Sequence, residues 1–84
     1  VIDTGDAVLH RPTGETWLVA YVAAGGEHLV CCGWPESSAK VADCELVAAA
    51  TAGGRRLLLE RMAAMEGPDS RKAYAARRLA AGGD

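Results

Sequence analysis

The chain has no phenylalanine, and its only large aromatic side chains are two tryptophans and two tyrosines. A core must therefore be filled mainly by Leu, Val and Met, helped by the few Trp and Tyr. No apolar run approaches the ~20 residues that a membrane-spanning helix needs, and no charged segment followed by an apolar one opens the chain, so no secretory signal is expected. Paired cysteines at the C-x₂₋₄-C spacing of zinc ribbons and fingers are missing. The glycine pairs at 25–26, 53–54 and 82–83 lack the Lys-Ser/Thr that completes a phosphate loop. There is no internal repeat. These absences argue against a membrane protein, a zinc module and a nucleotide-binding loop.

What is present is compact. Eighty-four residues make one small domain with room for an appendage, and half of them are hydrophobic. A chain of this size buries only about 60–65% of its unfolded surface, so the core is thin. Three cysteines cannot all pair within one chain. Cys31 and Cys32 are adjacent, and neighbours on a strand point to opposite faces. A reducing, cytoplasmic setting fits that usage. The net charge of −2 conceals a division. Residues 1–50 carry seven carboxylates against Arg11 and Lys40, a net of −5; residues 51–84 carry seven arginines and lysines against four carboxylates, a net of +3.

The first half reads as short strands separated by turn signals. Residues 6–11 form the first strand, ended at Pro12. Pro12-Thr13-Gly14-Glu15 is a turn, and residues 16–24 form the longest strand. Gly25-Gly26-Glu27 turns again, 28–34 is a third strand and 39–43 a fourth. A tight turn at 43–45 precedes a brief fifth strand at 46–48. In the second strand Leu18, Ala20 and Val22 point one way and Trp17, Val19 and Tyr21 the other. Both faces are apolar, so one face beyond the core needs a cover. Residues 49–54 read as a linker between two domains, 1–50 and 51–84. Residues 55–66 form a helix with Leu58, Leu59, Met62 and Met65 in one stripe. Gly67 and Pro68 stop it, and Asp69 or Ser70 caps a second helix that runs to about Ala80.

The pattern Gly5-Asp6-x-Val8, Gly14-Glu15-x-Trp17-x-x-Ala20-x-Val22, a third strand ending at Gly33, then Val41 and Leu46-Val47, resembles SH3-like barrels, with the Tudor and KOW branches nearest. The fold this implies is mainly β with α: a five-stranded SH3-like barrel over roughly residues 4–48, followed by one or two C-terminal α-helices. The first helix is expected to lay its stripe over the outer face near Trp17, Val19 and Tyr21. Tudor-type relatives bind methylated Lys or Arg through an aromatic cage, but Trp17, Tyr21 and Trp34 alone do not supply one. KOW-type relatives bind RNA or ribosomal protein through basic loops, whereas this half is acidic. The small Ala- and Arg-rich chain also looks like accessory proteins of bacteria and their phages.

Function is specified far less than architecture. Cys31, Cys32, Cys44, His10 and His28 are candidate soft ligands, yet neighbouring cysteines on one strand can hardly face a single ion, and packed thiols are the simpler reading. Cys32 with His10 or His28 and Asp43 has no recognisable nucleophile motif around it. The expectation is thus a protein without catalytic residues, metal or cofactor: a protein-binding module that is a monomer or weak homodimer, with Trp17, Tyr21 and Trp34 as contacts. The alternative is a nucleic-acid-binding accessory protein using Arg71, Tyr74, Arg77 and Arg78 of the last helix. Four cations on a short helix give only weak, salt-sensitive affinity.

Overall fold

The computed structural model describes residues 1–33 and 37–82. The chain divides into two compact units, residues 1–50 and 51–84. The first contains five strands: β1 (Ala7–His10), β2 (Glu15–Val22), β3 (His28–Cys31), β4 (Ser38–Lys40) and β5 (Cys44–Ala48). All pairings are antiparallel, in the order β4-β3-β2-β1-β5. β4 and β5 are the two edges of an open sheet; among the described residues they are not paired with each other.

Two turns set the meander. The His10 carbonyl accepts from the backbone N–H of Gly14 at 2.8 Å and of Thr13 at 3.3 Å, and Gly14 sits at φ +71°, where a side chain would be strained. Gly25 and Gly26 take positive φ at the β2–β3 turn. β2 is shared lengthwise. Glu15 to Leu18 pair with β1, while Val19 to Val22 pair with β3.

The core gathers Val8, Val19, Leu29, Ala39 and Cys44, with Ile2, Trp17, Val22 and Val41 packed against it. This corrects the expected facing of β2. A bulge between Val19 and Tyr21 inserts Ala20 as an extra residue and reverses the alternation beyond it. Trp17, Val19 and Val22 therefore share the core side, and Tyr21, opposite Val30, lies on the other face. The expected outer face of Trp17, Val19 and Tyr21 does not exist as a unit, and Val19 is fully buried.

The expected fourth strand is also shorter. After Lys40 the chain makes a single 3-10 turn, Val41–Asp43, and β5 begins at once with Cys44. Arg11 holds that corner: its backbone N–H donates to the Asp43 carbonyl at 3.0 Å, and its guanidinium reaches the carbonyls of Ala42 and Cys44, both at 3.4 Å. The opening turn is tied in by Asp6, a buried carboxylate. Its Oδ2 accepts from Asp3 N–H at 2.9 Å and its Oδ1 from Ala50 N–H at 2.8 Å. Its carbonyl accepts from Val19 N–H at 2.9 Å.

The second unit is a helical hairpin, α1 (Ala52–Ala63) and α2 (Ser70–Ala80). α1 starts three residues earlier than expected because Thr51 caps it, its hydroxyl accepting from Gly54 N–H at 3.0 Å. This outweighs the low helix propensity of Gly53 and Gly54. Leu59 and Met62 are buried, and Leu58 and Met65 half-buried. On α2, Ala75 is buried and Leu79 half-buried, while Ala73, Ala76 and Ala80 are exposed. No helix among the described residues is long and apolar enough to cross a membrane.

Candidate functional site

β3 ends at Cys31, the residue paired with Val19, and the Cys32 N–H makes a last bond to the Leu18 carbonyl at 2.9 Å. Beyond that point β3 leaves the first half of β2. The divergence opens a groove of about 500 Å³ lined by Glu15, Thr16, Trp17, Leu18, Cys31, Cys32, Gly33 and Ser37. Its volume is in the range of small-ligand sites, but it is open rather than enclosed.

Trp17 is the aromatic of this groove. It is half-buried, and its ring stacks on the imidazole of His10, with centroids 4.3 Å apart and planes 23° from parallel. His10 is held in turn: its Nδ1 lies 2.8 Å from the Thr13 hydroxyl, within the β1–β2 turn. The indole is thus supported from behind. Leu18, next to it, is 47% exposed. The groove's only charge among these lining residues is that of Glu15.

Of the other proposed protein contacts, Tyr21 does not join this groove. Tyr21 is half-buried on the opposite face from Trp17, separated by the bulge. Trp34 lies outside the described residues. Leu18 was not proposed as a contact, and His10 was read only as a candidate ligand or base, not as the partner of Trp17. His10 needs the register that sets Val8 opposite Trp17, and Leu18 was legible only as one half of a strand apolar on both sides.

The cysteines have little chemistry available. None is in a disulfide. Cys31 and Cys44 are buried and Cys32 is half-buried. Burial pushes the Cys44 thiol above its ordinary range; the neighbouring Asp43 carboxylate adds to this and Arg11 opposes it. Its Sγ lies 3.5 Å from the Lys40 carbonyl, to which it donates. Among the described residues no three His, Cys, Asp or Glu side chains are placed to hold a metal ion. No family model, curated protein or solved structure matches the chain.

The basic helix is changed most by its surroundings. Arg71 is only 4% exposed. Its Nε and Nη2 donate to the two oxygens of Asp69 at 2.9 and 2.8 Å, a two-point ion pair. These side-chain bonds, then the Arg71 backbone N–H at 2.8 Å, hold the Asp69 carboxyl down at about 2. Arg71 is therefore a buried cation paired with the N-cap residue of α2. Tyr74 is half-buried and its hydroxyl accepts from Arg78 Nη1 at 2.9 Å. The Arg78 guanidinium carbon also sits 6.0 Å from the Tyr74 ring centroid. Arg77 is exposed. The four proposed nucleic-acid contacts thus differ widely in what they can offer a ligand.

Proposed function

We propose that this chain is a non-catalytic protein-recognition module, built on an SH3-like barrel and carrying a helical hairpin. Three features support the barrel reading. The strand order is β4-β3-β2-β1-β5, β2 is divided between two ladders, and a single 3-10 turn joins β4 to β5. The recognition reading rests on one observation: Trp17 is held half-exposed by His10 in an open groove, with the exposed Leu18 beside it. A rigid tryptophan in an open groove is the kind of side chain that protein interfaces use as an anchor.

The test is a photo-crosslinking residue, p-benzoylphenylalanine, placed at Thr16 in the groove and, as a control, at Glu27 on the distant β2–β3 turn. In the producing cell the Thr16 probe should give a discrete protein adduct that the Glu27 probe does not, and Leu18→Asp should abolish it. Equal labelling from both positions, or no adduct from Thr16, would refute the assignment.

A further inference from the structure

The groove continues onto an apolar face. Ala7 pairs with Leu18 on one side and Ala48 on the other, and Leu9 with Thr16 and Glu45. Val8, between Ala7 and Leu9, points into the core, so these two rows lie on the outer face of β2, β1 and β5. A bulge in β5 sets both Val47 and Ala48 opposite Ala7. The exposed side of this three-stranded ladder is therefore Leu18, Ala7, Leu9, Val47 and Ala48, with Thr16 and Glu45. Leu18 is 47% and Val47 59% exposed. Antiparallel sheets ordinarily present polar residues to water on such a face.

Its width and charge define what fits. Three strands at their usual spacing of about 4.8 Å make a strip roughly 10 Å between outer strands, the breadth of one α-helix. The one charge on the strip is Glu45. The unit around it carries a net of −5. Of its two cations, Arg11 is bonded to the Ala42 and Cys44 carbonyls and Lys40 is on the far edge strand, β4. An acidic partner would be repelled here, and a basic one steered in.

We infer that the partner segment is a basic amphipathic helix, seated with its apolar stripe on Leu18, Leu9 and Val47 and its Lys or Arg side chains toward Glu45. This rests on the protein-recognition reading and adds the partner's chemistry to it.

The probes are two short synthetic helices with the same leucine stripe, one with Lys at every polar position and the other with Glu. Each is titrated into the methyl-labelled full chain. The Lys peptide should shift the methyl signals of Leu18, Leu9 and Val47, and its affinity should fall about tenfold as salt rises past the concentration where screening reaches ion-pair distances. The Glu peptide should bind at least about tenfold more weakly, and Glu45→Lys should weaken the Lys peptide about three- to tenfold. Equal binding of both peptides, or shifts that bypass Leu18 and Val47, would overturn the inference. So would binding of the chain to anionic lipid vesicles, or a concentration-dependent dimer abolished by Val47→Asp, since the face would then have another occupant. If neither peptide binds while the Thr16 crosslinker still captures its adduct, the helix assignment fails and the recognition module stands. If the adduct is absent as well, both fail.

Discussion

Replacing Asp6 should damage the β unit more than any surface charge. Its carboxylate is buried, and each oxygen accepts a backbone N–H from a different segment, Asp3 in the opening turn and Ala50 beyond β5. Asp6→Ala leaves both donors without that acceptor. A hydrogen bond to a charged group is worth about 1.5–3 kcal/mol net. Both bonds are only part-buried, so the lower half of the range applies to each, and the sum is about 3–4.5 kcal/mol. Asp6→Asn is the sharper variant. It keeps the shape, but its amide can present an oxygen to only one donor and sets NH₂ against the other, so about 1.5–3 kcal/mol should still be lost. At roughly 4–8 °C per kcal/mol for a chain of this size, Asp6→Ala should lower the melting midpoint by about 12–36 °C. Trp17 lies in this unit, so urea and thermal unfolding followed by tryptophan emission read the effect. If both variants fall within about 0.5 kcal/mol of the parent, the behaviour of an ordinary surface site, the clamp assigned to Asp6 is wrong.

Four other outcomes are expected. The Asp69 carboxyl is held at about 2 in the folded chain against an ordinary value near 4, so its contribution to stability is complete above about pH 4 and is lost as pH falls towards 2; circular dichroism should show helix loss in that window, and Asp69→Ser, which keeps a cap but not the ion pair, should flatten it. Leu29→Ala should cost about 2–5 kcal/mol, because Leu29 is fully buried in the core, whereas Leu18→Ala should cost under about 1 kcal/mol by the same urea curves. Gly14→Ala should cost about 1–2 kcal/mol through its positive φ alone, since an added methyl would meet no neighbouring atom within 4 Å; an unchanged urea midpoint would contradict this. In timed alkylation read by mass spectrometry, Cys32 should be labelled first, with Cys31 and Cys44 lagging until the chain unfolds.

The candidate site was only partly legible. Trp17 was named as an aromatic on the second strand, and the apolar excess of β2 was visible as an alternation with too few polar positions. Which residues carry that excess was not visible. Tyr21 was grouped with Trp17 because strict alternation puts residues four apart on one face, and a single extra residue at Ala20 defeats that rule. Arg71 was counted with the basic helix face, since a spacing of three and four residues says nothing of whether a cation is already paired. The carboxylate that takes it lies two residues earlier, in the cap.

Local chemistry alone determined the elements of this protein. Pro12 with Gly14, Gly25-Gly26 and Gly67-Pro68 mark three of the turns, and the apolar periods between them changed from two to between three and four near residue 50, dividing five strands from two helices. Tertiary structure alone decided the two bulges, the stack of His10 on Trp17, the bonds from Asp6 to Ala50 and the corner held by Arg11. The reason is physical. A turn or a helix cap is decided by neighbours within a few residues, whereas a bulge exists only relative to the strand opposite, and a buried carboxylate is stable only beside donors that the fold delivers from 44 positions away.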